Sequence, residues 1–353
     1  MVIEQKSKIM MFPKIRKIIF IIFSVAFIAI GLRAYQLYQY IFGENIKKEY
    51  VLFVSEGTTY QQVTDSLIDN DVLINHKAFK WVIKKKNCPE LVKPGHYVFF
   101  TGMNTNQLVN MLRAGLQKPV NVTFNNIRFR EDLASRISKY IEADSLSILN
   151  LFYNENKIKE YGFTFETFGA MFIPNTYEFY WTTTAEEFAA RMKIEYERFW
   201  NEERRRKAEE VGLTPVEVVT LASIVQAETA KNEELRRVAG LYINRLKRGQ
   251  LLQADPTVRY AVGDFSIRRI LYSHLEIESP YNTYKYAGLP PGPIGFPEII
   301  VIDAVLDYEK HNYIFMCARE DFSGYHHFAV TLAEHNRNAA RYRAALDAMQ
   351  IFQ

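Results

Sequence analysis

The hydrophobic pattern changes character several times along this chain, and each change marks an element. Residues Ile18–Leu32 read IIFIIFSVAFIAIGL, an uncharged run of fifteen bounded by Lys17 and Arg33. At ~1.5 Å per residue it is too short for a ~30 Å hydrocarbon core. Continuing the helix through Ala34, Tyr35, Leu37, Tyr38 and Tyr40-Ile41-Phe42 makes it long enough. The tyrosines then form an interfacial belt, and Lys17 and Arg33 snorkel. A cleaved signal peptide is the alternative. The start is basic, but no convincing small-x-small cleavage site follows, so an uncleaved anchor is expected. Lys6, Lys8, Lys14, Arg16 and Lys17 precede the run, and only Arg33 lies in the first dozen residues after it. That bias predicts a cytoplasmic tail at 1–17, a transmembrane helix at 18–40 and about 300 residues on the far side of the membrane.

Beyond the anchor, short apolar runs alternate with amphipathic ones. Phe53–Thr59 reads as a strand entering a turn, followed by a helix with Val63, Leu67 and Ile68 on one face. Pro94–Phe99 reads as a strand, Gly102-Met103-Asn104 as a turn and Leu108–Leu112 as helix. The strand–turn–helix pattern starts again at Val122-Thr123-Phe124, with Leu133 and Ile137 on the helix. Such a repeat predicts small α+β modules, one over 48–118 and a second with connecting helices over 119–212. Residues 145–212 are rich in aromatics and then in charge, and EERRRKAEE (Glu202–Glu210) reads as a solvated helix face.

A well-signalled helix opens the last block, 213–353. Thr214-Pro215-Val216-Glu217 combines an N-cap Thr, Pro at the first helical position and Glu at the third, a capping box. Val218, Leu221 and Val225 form an apolar stripe that continues into Glu228. A carboxylate there is costly without a partner or a task. Burial and the negative end of the helix dipole both raise its pKa, as a general acid requires. A solvated or ion-paired Glu is the plainer reading of this pattern alone. The next helix is expected over Glu233–Arg248, capped by Asn232 and stopped by Gly249, with Leu235, Val238, Tyr242 and Leu246 inward. The turn between the helices leaves Glu228 at a corner.

Two stiff loops follow, Leu252–Thr257 and Tyr281–Tyr284 continuing to Gly288–Ile294. Their Asn, Thr, Tyr and Gln side chains offer neutral hydrogen-bonding groups beside aromatic faces, a mixture suited to sugars; ordered connecting loops are the plain alternative. Tyr313–Ala318 reads as a buried strand and Tyr325–Val330 as its hairpin partner, with His326 and Phe328 on one face.

With 44 basic and 40 acidic residues, the net charge of +4 gives no field favouring nucleic acid. Cys88 and Cys317 lie far apart and form neither a metal pair nor a disulfide framework. No His/Cys cluster, nucleophile elbow, phosphate loop or dinucleotide fingerprint is present, so no metal or cofactor is expected.

Leu221-Ala222-Ser223-Ile224-Val225-Gln226-Ala227-Glu228-Thr229 resembles the helix that carries the catalytic Glu of endolytic murein transglycosylases, the YceG-like (MltG) family. Ile243–Leu246, Leu252–Val258, Tyr281–Tyr284, Gly288–Ile294, His326-x-Phe328 and His335-Asn336 match the family in order and spacing. Ser55–Thr58 and Lys93–Tyr97 match its LysM-like part. Phe172–Tyr177 is similar to the family's F-P-D-T-Y segment, with Asn175 in place of Asp, and Asn125–Arg128 replaces a common P-E-G. Gln226 stands where many members carry Glu, which singles out Glu228.

The resemblance implies an α+β protein: one N-terminal transmembrane helix, small LysM-like modules and a C-terminal catalytic domain. It implies cleavage of the MurNAc–GlcNAc β-1,4 bond within peptidoglycan glycan strands, no cofactor, a place in the bacterial cytoplasmic membrane and peptidoglycan synthases as membrane partners. Glu228 would protonate the glycosidic oxygen, then accept the proton of the muramyl C6 hydroxyl as it closes on C1, leaving a 1,6-anhydro end. Gln253, Asp255, Asn282, Thr283, Tyr284 and His326 are the expected substrate-binding residues, Asp255 positioning substrate or bracing its loop. A muramidase needs a second carboxylate, and a non-catalytic wall-binding scaffold needs none; both stay open at this point.

Overall fold

The computed structural model describes residues 4–265, 267 and 270–349. The chain divides into two compact units, residues 1–120 with 180–182, and 121–179 with 183–353.

In the first unit, helix α1 (Glu4–Phe42) contains a stretch, Ile15–Phe42, long and apolar enough to cross a membrane. It extends past the apolar run into the tyrosine-rich segment, as the pattern predicts. The side chains of Lys6, Lys8 and Lys14, which bear on orientation, lie outside the described residues, as do residues 350–353 of the expected last block. Then follow β1 (Tyr50–Val54), α2 (Tyr60–Asp69), α3 (His76–Lys85), β2 (Gly95–Phe99) and α4 (Thr105–Ala114). β1 and β2 pair antiparallel, from Tyr50↔Phe99 to Val54↔Gly95. Val63 and Leu67 of α2, Phe79 of α3 and Leu108 of α4 close over the inner face of the hairpin. α2 and α4 open with reciprocal capping boxes, Thr59–Gln62 and Asn104–Gln107.

The second unit begins with β3 (Val120–Phe124), α5 (Arg130–Ile137), α6 (Ser145–Tyr153) and α7 (Glu155–Glu160), and β4 (Asn175–Phe179) pairs with β3. Rings fill the space between: Phe152, Phe168, Phe172 and Phe188 are buried, with Phe172 5.0 Å from Phe152 and 5.1 Å from Phe168. Next come α8 (Ala185–Phe199), α9 (Glu202–Val211), α10 (Pro215–Glu228), α11 (Leu235–Lys247), α12 (Asp255–Val262), α13 (Tyr272–Leu275), α14 (Ile299–Leu306), β5 (Phe315–Ala318), β6 (His326–Ala329) and α15 (Leu332–Ala348).

Three expectations are corrected here. The charged run of α9 is not wholly solvated, because Arg204 grips Asp303 through two nitrogens and Lys207 meets Asp307, which ties α9 to α14. Asn232 is no cap: Asn232–Glu234 form a 3-10 turn, and α11 starts at Leu235 without a side-chain cap. The strand expected at Tyr313–Ala318 is shorter and half-buried; it pairs in the register Phe315↔Ala329, Ala318↔His326.

Gly292 shows how tightly the Pro-rich loop is seated. A Cβ there would stand 2.1 Å from the Glu166 carbonyl oxygen, a backbone atom that cannot swing away. Gly292→Ala is expected to destabilise the protein by about 1–3 kcal/mol, the usual range for overpacking. Thermal unfolding indistinguishable from wild type would refute this close approach.

Candidate active site

Helix α10 forms where the sequence signals it. Thr214 Oγ accepts from the Glu217 N–H, Glu217 Oε2 accepts from the Thr214 N–H at 2.7 Å, and Pro215 occupies the first turn. The predicted single apolar stripe is not what buries it. Every residue from Val218 to Val225 is buried, so α10 is a core helix packed on all sides. Two of its polar side chains are used for bracing. Ser223 Oγ accepts from the Ile294 N–H at 3.0 Å, and Gln226 Oε1 accepts from the Glu298 N–H at 2.7 Å. These bonds hold the Pro-rich segment along the last turns of α10, leaving Glu228 as the carboxylate at its end.

Glu228 sits where the backbone turns out of the helix: Thr229 is extended, and its N–H reaches the Val225 carbonyl. Glu228 Oε1 accepts a 2.6 Å hydrogen bond from the Tyr242 hydroxyl on α11. Burial pushes the Glu228 pKa up to about 7, against the opposing pull of the Tyr242 bond; Asp255 adds to the rise, and Arg259 and Arg245 reduce it. Tyr242 is buried, and burial beside Glu228 pushes its pKa well above the ordinary tyrosine value, so it remains a proton donor to the carboxylate. The Glu228 residue as a whole keeps partial exposure.

Arg245, one turn on from Tyr242, is buried and donates to the carbonyls of Ile314 (2.6 Å), Leu251 (3.0 Å) and Leu252 (2.9 Å) and to Gln253 Oε1 (3.1 Å). Its neighbour Asn244 donates to the His311 and Tyr313 carbonyls. Ile243–Leu246 thus acts as a staple from α11 to the following loop and to the segment entering β5.

The predicted binding residues fall into distinct places. Asp255 is exposed at the start of α12 and accepts from the Tyr284 hydroxyl at 2.6 Å. Burial, then Asp255, pushes the Tyr284 pKa upward. Gln253 is exposed, with φ of +51°. Asn282 and Thr283 lie inside the loop rather than at its surface. Asn282 donates to the Leu275 and Ile277 carbonyls and accepts from the Tyr284 N–H. Thr283 Oγ accepts from the Ala254 N–H and meets the Thr257 hydroxyl at 2.8 Å. With their polar groups used internally, these two shape the loop. His326 is likewise engaged: Nδ1 lies 2.8 Å from buried Glu234 Oε2, and its N–H donates to Glu234 Oε1. Tyr242, Arg245 and Arg259 went unread as site residues. The available signal was the i, i+3 spacing of Tyr242 and Arg245, which puts a cation on a stripe predicted to face inward.

A groove of about 480 Å³ passes the end of α10, lined by Gln226 and Ala227 on one side and by Asn126–Phe129 and Gly295 on the others. A second cavity of about 320 Å³ shares Arg128, Phe129 and Gly295 with it and continues to the paired rings of Tyr260 and Tyr281, 4.8 Å apart. Glu228 lines neither; it follows Ala227, a lining residue of the first groove, in the chain. Among the described residues, no group of three or more His, Cys, Asp or Glu is placed to hold a metal.

A partly desolvated acid held by a phenol, on a rigid helix end beside an open groove, is the arrangement of an acid–base enzyme site. The profile of the YceG-like family matches residues 52–341, and the chain belongs to that family. It is 29% identical over 305 residues to the endolytic murein transglycosylase of Bacillus subtilis strain 168, a match covering 82% of this chain and 83% of the relative. It is 27% identical over 365 residues to the protein of that name from Streptococcus pneumoniae D39, covering 92% of this chain but spanning only 65% of the relative's length. A crystallised YceG-like protein of Listeria monocytogenes superposes with a TM-score of 0.53 at 26% identity, covering 82% of this chain and 99% of that one.

The raised acid has a consequence for stability. The folded pKa of about 7 exceeds the ordinary 4.5. Below the ordinary value Glu228 is protonated in both states and costs nothing. As pH rises from there through the folded value, the unfolded chain ionises first and stability is lost. At about 1.4 kcal/mol per tenfold in proton affinity, the loss totals roughly 3 kcal/mol. Glu228→Gln has no such term, so its stability relative to wild type should rise by about that amount between about pH 4 and pH 8. Equilibrium unfolding of both full-length proteins measures it; a constant difference would contradict the buried, proton-holding carboxyl.

Proposed function

We propose that this chain is a membrane-anchored endolytic murein transglycosylase, in which Glu228 cleaves the MurNAc–GlcNAc β-1,4 bond of peptidoglycan strands and leaves 1,6-anhydroMurNAc ends. The carrying observation is the Glu228 carboxyl itself, with a pKa raised to about 7 and a 2.6 Å bond from Tyr242. At neutral pH such a group is half protonated. It can give its proton to the glycosidic oxygen as the bond to C1 breaks, then take the proton of the C6 hydroxyl as that oxygen bonds to C1. The acid is restored, and no water is consumed. The names and extents of the curated relatives support this reading, and the apolar α1 fits an anchor in the bacterial cytoplasmic membrane, N-terminus inside.

In this reading Asn282 and Thr283 position the loop, while exposed Gln253 and the Asp255–Tyr284 pair face the glycan. The groove past Ala227 offers a path for a strand, and the Tyr260–Tyr281 rings offer a flat apolar surface for a sugar face. Asp255 is the second carboxylate a muramidase would draw on, but one of its oxygens is already engaged by a hydrogen bond from the Tyr284 hydroxyl. The resemblance also points to membrane peptidoglycan synthases as partners.

Glu228→Gln should lower strand cleavage by at least about 10²-fold, the typical value of positioned acid–base catalysis. Mass spectrometry of digests of isolated murein reads both outcomes. Wild-type products one water lighter than reducing ends support the transglycosylase, and products with reducing ends establish the hydrolase. Wild-type-like turnover by the Gln variant removes Glu228 from the chemistry.

The pH profile offers an independent check. The first step needs the protonated acid, so kcat/KM should fall as pH rises through about 7. Asp255 is one cause of the raised value, so Asp255→Asn should move that descending limb to lower pH. An unmoved limb would mean that another group sets it.

A further inference from the structure

Helix α3 carries a charge pattern that glycan chemistry leaves unused. Its sequence, HKAFKWVIKK, holds lysines and no carboxylate. Ala78, Phe79 and Val82 are buried in the first unit, so helical spacing turns Lys77, Lys80, Lys84 and Lys85 outward, and all four are exposed. Among the described residues none of the four forms an ion pair; Lys85 only overlies the Trp81 ring, 6.0 Å from its centre. Lys86 and Arg113 extend the cluster, with Arg113 Nη1 3.5 Å from the Lys86 carbonyl oxygen.

A lysine-rich helix face is ordinarily just solvated. The placement of this one sets it apart. Asn45, just past the end of α1, exchanges hydrogen bonds with Asn75, the N-cap of α3: the Asn75 N–H donates to Asn45 Oδ1 at 2.5 Å, and Asn45 Nδ2 donates to the Asn75 carbonyl at 3.2 Å. Further along α3, the Trp81 ring lies 6.1 Å from that of Tyr40, which precedes Asn45 on α1. Two anchor points in that order make α3 run back along α1, towards the apolar span. Lys84 and Lys85 lie about one turn beyond Trp81 in that direction, at ~1.5 Å per residue. On α1, Leu37, Tyr40 and Ile41 are partly covered, whereas Tyr35 and Tyr38 stay open. A hydrocarbon core takes ~20 residues, which counted from Ile18 ends near Leu37. With α1 spanning the bilayer over that stretch, the lysine-bearing end of α3 would stand at the depth of the headgroups.

We propose that the lysine-bearing end of α3, Lys84 and Lys85, binds the headgroup phosphates of anionic phospholipids at the outer membrane–water boundary and holds the first unit against the bilayer. The proposal rests on the anchoring of α1 put forward above. A point-charge ammonium suits a phosphate that diffuses laterally and needs no fixed bidentate geometry. Trp81, with its ring beside the span, is the residue type that sits at that interface. The attraction acts within a Debye length, ~10 Å at 0.1 M salt, which confines it to lysines close to the surface.

The test uses the full-length chain reconstituted into vesicles of phosphatidylcholine alone, or of equal parts phosphatidylcholine and phosphatidylglycerol. A water-soluble acylating reagent is applied, and each lysine is read by mass spectrometry, with Lys159 of the second unit as internal reference. In the anionic vesicles, labelling of Lys84 and Lys85 should fall by about threefold or more, that of Lys77 at the far end of α3 should fall less, and high salt should restore both. Lys84→Gln/Lys85→Gln should lessen the protection left at Lys80, the next lysine up the helix. Equal labelling in both vesicles, with the chain stably inserted, overturns the proposal. Equal protection on adding inorganic phosphate to phosphatidylcholine vesicles also overturns it, by making the site one for free phosphate. Flotation after an alkaline wash reads the anchoring separately; a chain released by the wash overturns that reading and, with it, this one.

Discussion

The guanidinium of Arg245 is the constraint on which the candidate site turns. A buried cation is costly unless its donors are filled. Here they are filled by carbonyls from two directions, Leu251 and Leu252 of the loop after α11 and Ile314 at the entry to β5, with the Gln253 side chain beside them. Two chain segments are thereby registered to one face of α11, the face that also presents Tyr242 to Glu228. The same charge reaches Glu228 and lowers its pKa in opposition to burial. One side chain thus fixes the loop and also contributes to the electrostatics of the acid.

Several effects compete at Glu228, and desolvation wins. The Tyr242 hydrogen bond, Arg259 and Arg245 all favour the ionised form; burial and the neighbouring Asp255 oppose them, and the net result is a pKa near neutrality. Either tendency alone would give a group locked in one state. A proton donor that must later act as an acceptor is served by the balance. The stiffness around it has a visible cause: Ser223 and Gln226 are spent on the backbone of the Pro-rich segment, and Gly292 lets that segment lie directly on the Glu166 carbonyl.

Much of the local architecture was legible. The capping box at Thr214, the membrane-length apolar helix, the individual strands and helices after it and the β5–β6 hairpin all carry short-range signals whose physics is complete within a few residues. Glu228 was legible for the same reason: a carboxylate continuing an apolar stripe stands out. The misreadings occurred where neighbours distant in sequence decide. The α9 charges looked solvated because Asp303 and Asp307 lie about a hundred positions away. Asn282 and Thr283 read as open loop positions because a polar side chain on a stiff loop reads the same whether it faces solvent or a buried partner.

The sequence by itself determined where helices begin, which segment is apolar enough to cross a membrane and which residue types gather in the last block, because propensity, capping and periodicity are local. The tertiary structure decided which polar groups remain available for chemistry. It engaged Asn282, Thr283 and Gln226 in internal bonds, brought Tyr242 and Arg245 to the acid, and set Glu228 between water and core. Those outcomes depend on burial and partner geometry, which exist only once segments far apart in the chain have packed together.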